Sequence, residues 1–216
     1  MVQFPFTAVQ FLDVFFRYNL TVWPAQLILC LLAIAAAVCA IRKTASSDRI
    51  LFCILGFFWL WMGLVYHILF FSSINTVAYL FGILFIVQAL VLWYFGMVRK
   101  VTGFHASWDA FSIAGVAFIF YSLILYPVIG TAAGHPFPCL PTFGLPCPTT
   151  IFTFGIFLLA DRKVPLFLVA IPLLWSCIGF FAALSLGIVE DYGLLIAGIA
   201  GTILIIIKNQ KSNAAS

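Results

Sequence analysis

Charge is what this chain has least of. Asp, Glu, Lys and Arg make up 7% of its 216 residues, where a soluble domain carries about a quarter. With 65% hydrophobic residues and a mean hydropathy of +1.23, it holds more apolar surface than any soluble core could bury. That excludes a soluble helical bundle and makes lipid the expected solvent. The metal-binding spacings H-x-x-x-H and C-x-x-C are missing, as are a glycine-rich phosphate loop and a Ser/His/Asp arrangement. The N-terminus has neither a basic n-region nor a small-residue cleavage site, which argues against a removable signal peptide. The net charge of +4 comes from short basic loops and is no sign of nucleic-acid binding.

Long apolar runs are what the chain does have. A helix needs about 20 apolar residues to cross about 30 Å of hydrocarbon. The runs predict an all-α, polytopic membrane protein with seven transmembrane helices, near 22–41, 50–71, 76–98, 109–131, 146–160, 164–186 and 190–208. Nine of the ten Lys and Arg residues (Arg42, Lys43, Arg49, Arg99, Lys100, Arg162, Lys163, Lys208 and Lys211) fall on one side of this pattern, with Arg17 the exception. Short basic loops stay in the cytoplasm, so the N-terminus is expected outside and the C-terminus inside. Residues 1–21 read as an interfacial amphipathic helix capped by Thr7, with Asp13 and Arg17 four apart as an ion pair. Residues 22–208 then form the transmembrane domain and 209–216 a short cytoplasmic tail.

The stretch GHPFPCLPTFGLPCP at 134–148 holds five of the ten prolines and is expected not to be helical. A helix starting after Pro148 would be too short to cross alone. Part of the irregular stretch is therefore expected at membrane depth, where such backbone survives only packed in protein or lining a wet cavity. Cys139 and Cys147 lie in this connection, and an oxidising compartment would let them pair, subject to the prolines allowing the approach. The other four cysteines read as small hydrophobes.

An offset of 116 residues relates Trp59-x3-Gly63 to Trp175-x3-Gly179, Gly82 to Gly198 and Asn75 to Asp191. This predicts a 3+1+3 parallel repeat. With the N-terminus out and the C-terminus in, the arrangement resembles the SWEET sugar-transporter plan at the level of topology.

Polar groups at membrane depth need a reason. His67, Asn75, His135, Cys147, Thr149 and Asp191 all fall toward the outward face and are the pocket candidates. The amides at the start of the fifth span point the same way and could hold an anion or a carboxylate. His67, His135 and Cys147 could also bind a metal, though their spacing carries no metal signature. The plain alternative is that His67 bonds a neighbouring carbonyl while Cys147 merely packs. Gln88, in mid-span, reads as an interhelical hydrogen bond. Retinal chemistry is set aside because Lys208 lies at the end of the last span. Hydrolysis of the alkaline-ceramidase type uses three histidines with Asp and Ser, whereas only two of the three histidines here face one side, without that spacing. Neither a catalytic residue nor a cofactor is identified. The expected partners are the bilayer and a small-molecule or ion ligand, with no nucleic acid.

Four blocks carry a family likeness: PFTAVQFLDVFFRYNLTVWPAQ at 5–26, WMGLVYHILFFSSIN at 61–75, YPVIGTAAGHPFPCLPTFGLPCPTTIFTFG at 126–155, and IPLLWSCIGFFAALSLGIVEDYGLLIAG at 171–198. Through them the chain resembles an uncharacterised family of bacterial integral-membrane proteins, a domain of unknown function. The resemblance implies a bacterial cytoplasmic (inner) membrane protein and transfers no catalytic role. Three functions follow as expectations: a small-solute or metal-ion carrier with an outward-facing pocket, a membrane-embedded hydrolase-like enzyme using His67 or His135 with Asp191, or an accessory subunit of a membrane complex.

Overall fold

A computed structural model describes residues 5–107 and 109–214. The ends of the expected interfacial segment and tail, residues 1–4 and 215–216, lie outside the described residues. Those described are 77% helical with no strand. The all-α expectation holds.

Helix α1 spans Ala8–Thr21. Thr7 caps it reciprocally: the Gln10 amide donates to Thr7 Oγ1 at 3.3 Å, and the Thr7 amide donates to Gln10 Oε1 at 2.8 Å. Asp13 and Arg17 form the expected ion pair at 3.0 Å. Helix α2, Ala25–Ile41, leaves α1 at 87° across a short break containing Pro24. Three longer helices follow: α3 (Ser47–Ser73), α4 (Ala78–Val98) and α5 (Ala110–Ala132). Each contains a π-helical stretch, at Met62–Phe70, Trp93–Val98 and Tyr121–Leu125 respectively. Such turns re-aim the side chains beyond them and recur at functional sites. Helix α6 is Pro146–Leu158, α7 is Phe167–Leu186 and α8 is Tyr192–Ala214, entered through a 3-10 turn at Val189–Asp191.

The expected count of seven spans is too fine. Five helices are long and apolar enough to cross a membrane, or six if the bent pair α1 and α2 is one span. Helix α6 falls short: 13 residues rise about 20 Å at 1.5 Å each. It also begins at Pro146 rather than after Pro148, because proline fits the first helical turn, where its missing N–H is not needed. Residues 209–214, expected as a tail, continue α8.

Helix α6 is the axis of the bundle. Every residue from Pro148 to Leu158 is buried, enclosed by α5, α7 and α8, with Trp59 of α3 donating to Thr153 at 3.2 Å. The loop ahead of it enters the same core. Phe143 packs edge-on against both Phe58 and Phe152, each with ring centroids 5.3 Å apart. Phe58 lies well inside α3, so the irregular segment packs against the middle of that helix. Around this core, aliphatic side chains face outward, such as Leu27, Leu31 and Ile34 on α2 and Leu80, Ile83 and Leu90 on α4. An apolar exterior of this kind suits lipid as the surrounding medium.

The repeat fares less well at its glycines. Gly63 and Gly82 face each other, and a Cβ on Gly63 would stand 2.9 Å from the Gly82 carbonyl oxygen. Gly179 instead meets Leu194 and Gly198 meets Ser176. The two helix pairs do not pack alike.

One end of the bundle is basic and tightly tied. Lys43 Nζ reaches Asp161 at 2.7 Å and Asp48 at 3.3 Å, and Asp48 accepts the Phe104 amide at 3.0 Å. Partial burial alone would lower the Lys43 pKa, but the bonds and charge of Asp161 and then Asp48 hold it above its ordinary value. Lys208 donates to the Leu158 carbonyl at 2.8 Å and so caps the end of α6. Arg17 lies at the opposite end, donating to Ser73 at 3.3 Å.

Candidate functional site

A cavity of about 300 Å³ opens at the end of the bundle away from the Lys43 cluster. Phe11 and Phe15 of α1 roof it; Tyr66 and Phe71 of α3, Phe81 of α4 and the loop and first turn of α6 form its walls. It reaches inward to Trp175, the ninth residue of α7. Apart from Tyr66 and Trp175, which are mostly ring, the polar lining residues are Asn75, Cys147 and Asp191.

These three are half of the six residues that sequence reasoning proposed. Asn75 shapes the turn between α3 and α4, its Oδ1 accepting the Val77 amide at 3.1 Å. Asp191 closes the 3-10 turn before α8 and is buried. The Tyr126 hydroxyl donates to Asp191 Oδ1, and the Cys147 thiol bonds the same carboxylate while meeting the Trp175 indole on its other side. Tyr126, Cys147, Asp191 and Trp175 thus form one polar cluster built from α5, α6, α7 and the turn before α8.

The other three candidates sit elsewhere. Thr149 is buried beneath the loop, its hydroxyl accepting the Gly144 amide at 3.1 Å. It holds the turn and does not line the cavity. His135 pairs with Glu190, Nδ1 to Oε1 at 3.1 Å, so the His135–Asp191 pairing expected for an enzyme is absent. His67 is fully buried, and neither ring nitrogen has a hydrogen-bond partner among the described residues, so the expected carbonyl bond is absent too. Phe85, Trp175 and Tyr66 enclose it, with ring centroids at 4.6, 5.0 and 5.1 Å. Among the described residues no three His, Cys, Asp or Glu gather closely enough to hold a metal ion. Cys139 and Cys147 are both free thiols.

Of the anion or carboxylate expected at the start of α6, a carboxyl group of the protein itself lies nearby. Pro146 and Pro148 have no N–H to offer, and the Thr149 amide donates to the Leu145 carbonyl at 3.3 Å. The group at that end of the helix is the carboxyl of Asp191, bonded to Cys147 in the first turn.

Sequence reasoning missed Tyr126 and left Glu190 out of the pocket set. Their partners lie 65 and 55 residues away, and with 18% aromatic residues nothing local separates a functional tyrosine from a packing one. The 3-10 turn Val189–Asp191 was the available signal, since two adjacent carboxylates in an apolar segment demand partners.

The irregular loop that delivers Cys147 to this cluster is itself fastened by α1. Asn19 Nδ2 donates to the Pro138 and Leu140 carbonyls at 2.6 and 2.7 Å, and its Oδ1 accepts the Thr142 hydroxyl at 2.8 Å.

Residues 8–216 match the profile of a family of unknown function, DUF6064. The chain belongs to the DUF6064 family. That description assigns no activity, so every role given to a residue here rests on geometry. Comparison with curated proteins finds no match, and comparison with solved structures finds none either.

Proposed function

We propose that the protein is a multi-pass membrane carrier of small solutes and that the cavity containing Asn75, Cys147 and Asp191 is its binding site. The observation that carries this reading is the cavity itself. It is a recess of small-molecule size in an apolar bundle, entered beside a broken, proline-rich segment, with a few polar groups converging on one corner. Binding sites at membrane depth are built this way, from interrupted helices whose freed backbone lines a cavity. A volume of about 300 Å³ lies at the lower bound for small-molecule pockets.

In this reading the Lys43 and Lys208 end faces the cytoplasm of a bacterial inner membrane, and the cavity opens outward. Helix α2 crosses, and α1, turned by 87°, lies along the outer interface over the cavity mouth. Helix α6 and its loop together complete a seventh passage.

Cysteine labelling tests the carrier reading. In a variant keeping only Cys147, a membrane-impermeant maleimide should reach this thiol from either side, and a bound solute should protect it. Labelling from one side only, insensitive to any solute, would overturn alternating access. Reporter fusions at residue 45 and at the C-terminus should both report cytoplasm; a periplasmic signal at either would reverse the orientation.

A further inference from the structure

We infer that the cavity is selective for a small organic cation, an amine or quaternary ammonium group carrying an apolar body, with Asp191 as its counter-ion. The inference rests on the binding-site reading above and names the chemistry of what binds.

Three observations carry it. First, Asp191 is a buried carboxylate whose partners are the neutral Tyr126 hydroxyl and the Cys147 thiol. Every other carboxylate at this end of the bundle has a nitrogen partner: Asp13 has Arg17 and Glu190 has His135. Among the described residues no Lys, Arg or His reaches Asp191. Buried charges are ordinarily paired. The first turn of α6, through Cys147, brings a helix N-terminus to the site, but a helix end amounts to only about half an elementary charge. The remainder is open to a ligand.

Second, the walls fit a cation with little water around it. Tyr66, Phe71, Phe81 and Trp175 line the same cavity as Asp191, and aromatic faces attract alkylammonium groups through their quadrupoles. Third, calcium and magnesium do not fit. Calcium takes six to eight oxygen ligands and magnesium keeps most of its water, whereas Asn75 and Asp191 are the carboxamide and carboxylate lining this cavity. An anion would meet Asp191 head-on. The volume of about 300 Å³ equals about ten waters at roughly 30 Å³ each, enough for one ring and a trimethylammonium head.

The test uses the full chain in nanodiscs, with empty discs subtracting partition into lipid. The probes are benzyltrimethylammonium, its neutral isostere neopentylbenzene, and phenylacetate. The cation should raise the melting temperature in a concentration-dependent way and bind at least tenfold more tightly than the isostere. Asp191→Asn should abolish that preference while leaving isostere binding in place. Equal binding of cation and isostere would overturn the cation assignment and leave the binding site standing. Tighter binding of phenylacetate would overturn it as well. Binding of none of the three would overturn both readings. If Asp191→Asn does not fold, the cation-to-isostere ratio on the wild-type chain decides alone.

Discussion

The Tyr126 hydroxyl donates to Asp191 across 65 residues of sequence, so the one carboxylate of the cavity is held by α5 through a neutral group. A tyrosine orients a carboxylate without cancelling its charge, and that separates a site poised to receive a cation from a closed structural ion pair. Tyr126→Phe removes the donor and leaves the Cys147 thiol as the carboxylate's partner. Hydrogen bonds to charged groups are worth about 1.5–3 kcal/mol, so this variant should melt at a lower temperature by a corresponding amount. An unchanged melting temperature would mean that the bond holds nothing in place.

The second prediction concerns Asn19. Its side chain holds the backbone at Pro138 and Leu140 and the hydroxyl of Thr142, all in the irregular segment. Asn19→Ala strands these buried groups at about 1–3 kcal/mol for each one left without a partner. Thermal unfolding should shift down, and limited proteolysis should begin to cut within 134–145. A cleavage pattern identical to the wild type would show that other contacts fix the loop.

Glycine substitutions separate the two helix pairs. A methyl at Gly63 would meet the backbone oxygen of Gly82 at 2.9 Å, whereas at Gly179 it would meet the end of the flexible Leu194 side chain at 2.8 Å. A backbone cannot step aside as a side chain can. Gly63→Ala should therefore destabilise the protein clearly more than Gly179→Ala, as read from paired melting curves. Equal losses would restore the symmetry that the 116-residue offset suggests.

The fourth prediction is a pH dependence. Asp109 caps α5 just outside the span, accepting the Ser112 amide at 2.8 Å. Partial burial pushes its pKa up, but the Ser112 amide, the charge of Lys208 and the Ser107 and Ser112 hydroxyls outweigh it and hold the carboxyl below its ordinary value. A depressed folded-state pKa gives stability that is complete above the unfolded value of about 3.9 and is lost as pH falls through the folded one. Asp109→Ala should lower the melting temperature by a constant margin from pH 8 to 5, consistent with a lost cap of about 1 kcal/mol. That margin should shrink below pH 4. A margin that widens in acid would reverse the sign and remove the charge from the explanation.

Much of the helical layout was legible in the sequence because it depends on local apolar runs. The expected segment 76–98 is observed as Ala78–Val98, and 109–131 as Ala110–Ala132. The ion pair of Asp13 with Arg17 and the cross-helix bond of Gln88, which donates to the Leu168 carbonyl at 2.8 Å, followed from spacing and from polarity in mid-span. What sequence could not provide was depth and pairing. That α6 is the buried axis depends on which helices surround it, and hydropathy cannot tell a lipid-facing leucine from a core one. The site was half legible for the same reason. Asp191 and Cys147 stood out as polar residues among apolar ones, but their link runs through Tyr126, whose hydroxyl looks like any other among so many aromatics. His67 stood out equally and yet sits sealed in rings, because an unusual residue marks a place without saying what faces it.

The position of α6 has a consequence for how the protein is made. Thirteen residues headed by two prolines give the translocon too little to hand to the bilayer, and the carbonyl at its far end is held by Lys208, which is synthesised fifty residues later. On the proposed topology, this passage would lack the partner for its far end until the last helix is made. Chains cut after residue 163 should leave it exposed on the membrane surface, a natural target for the proteases that police unfinished proteins.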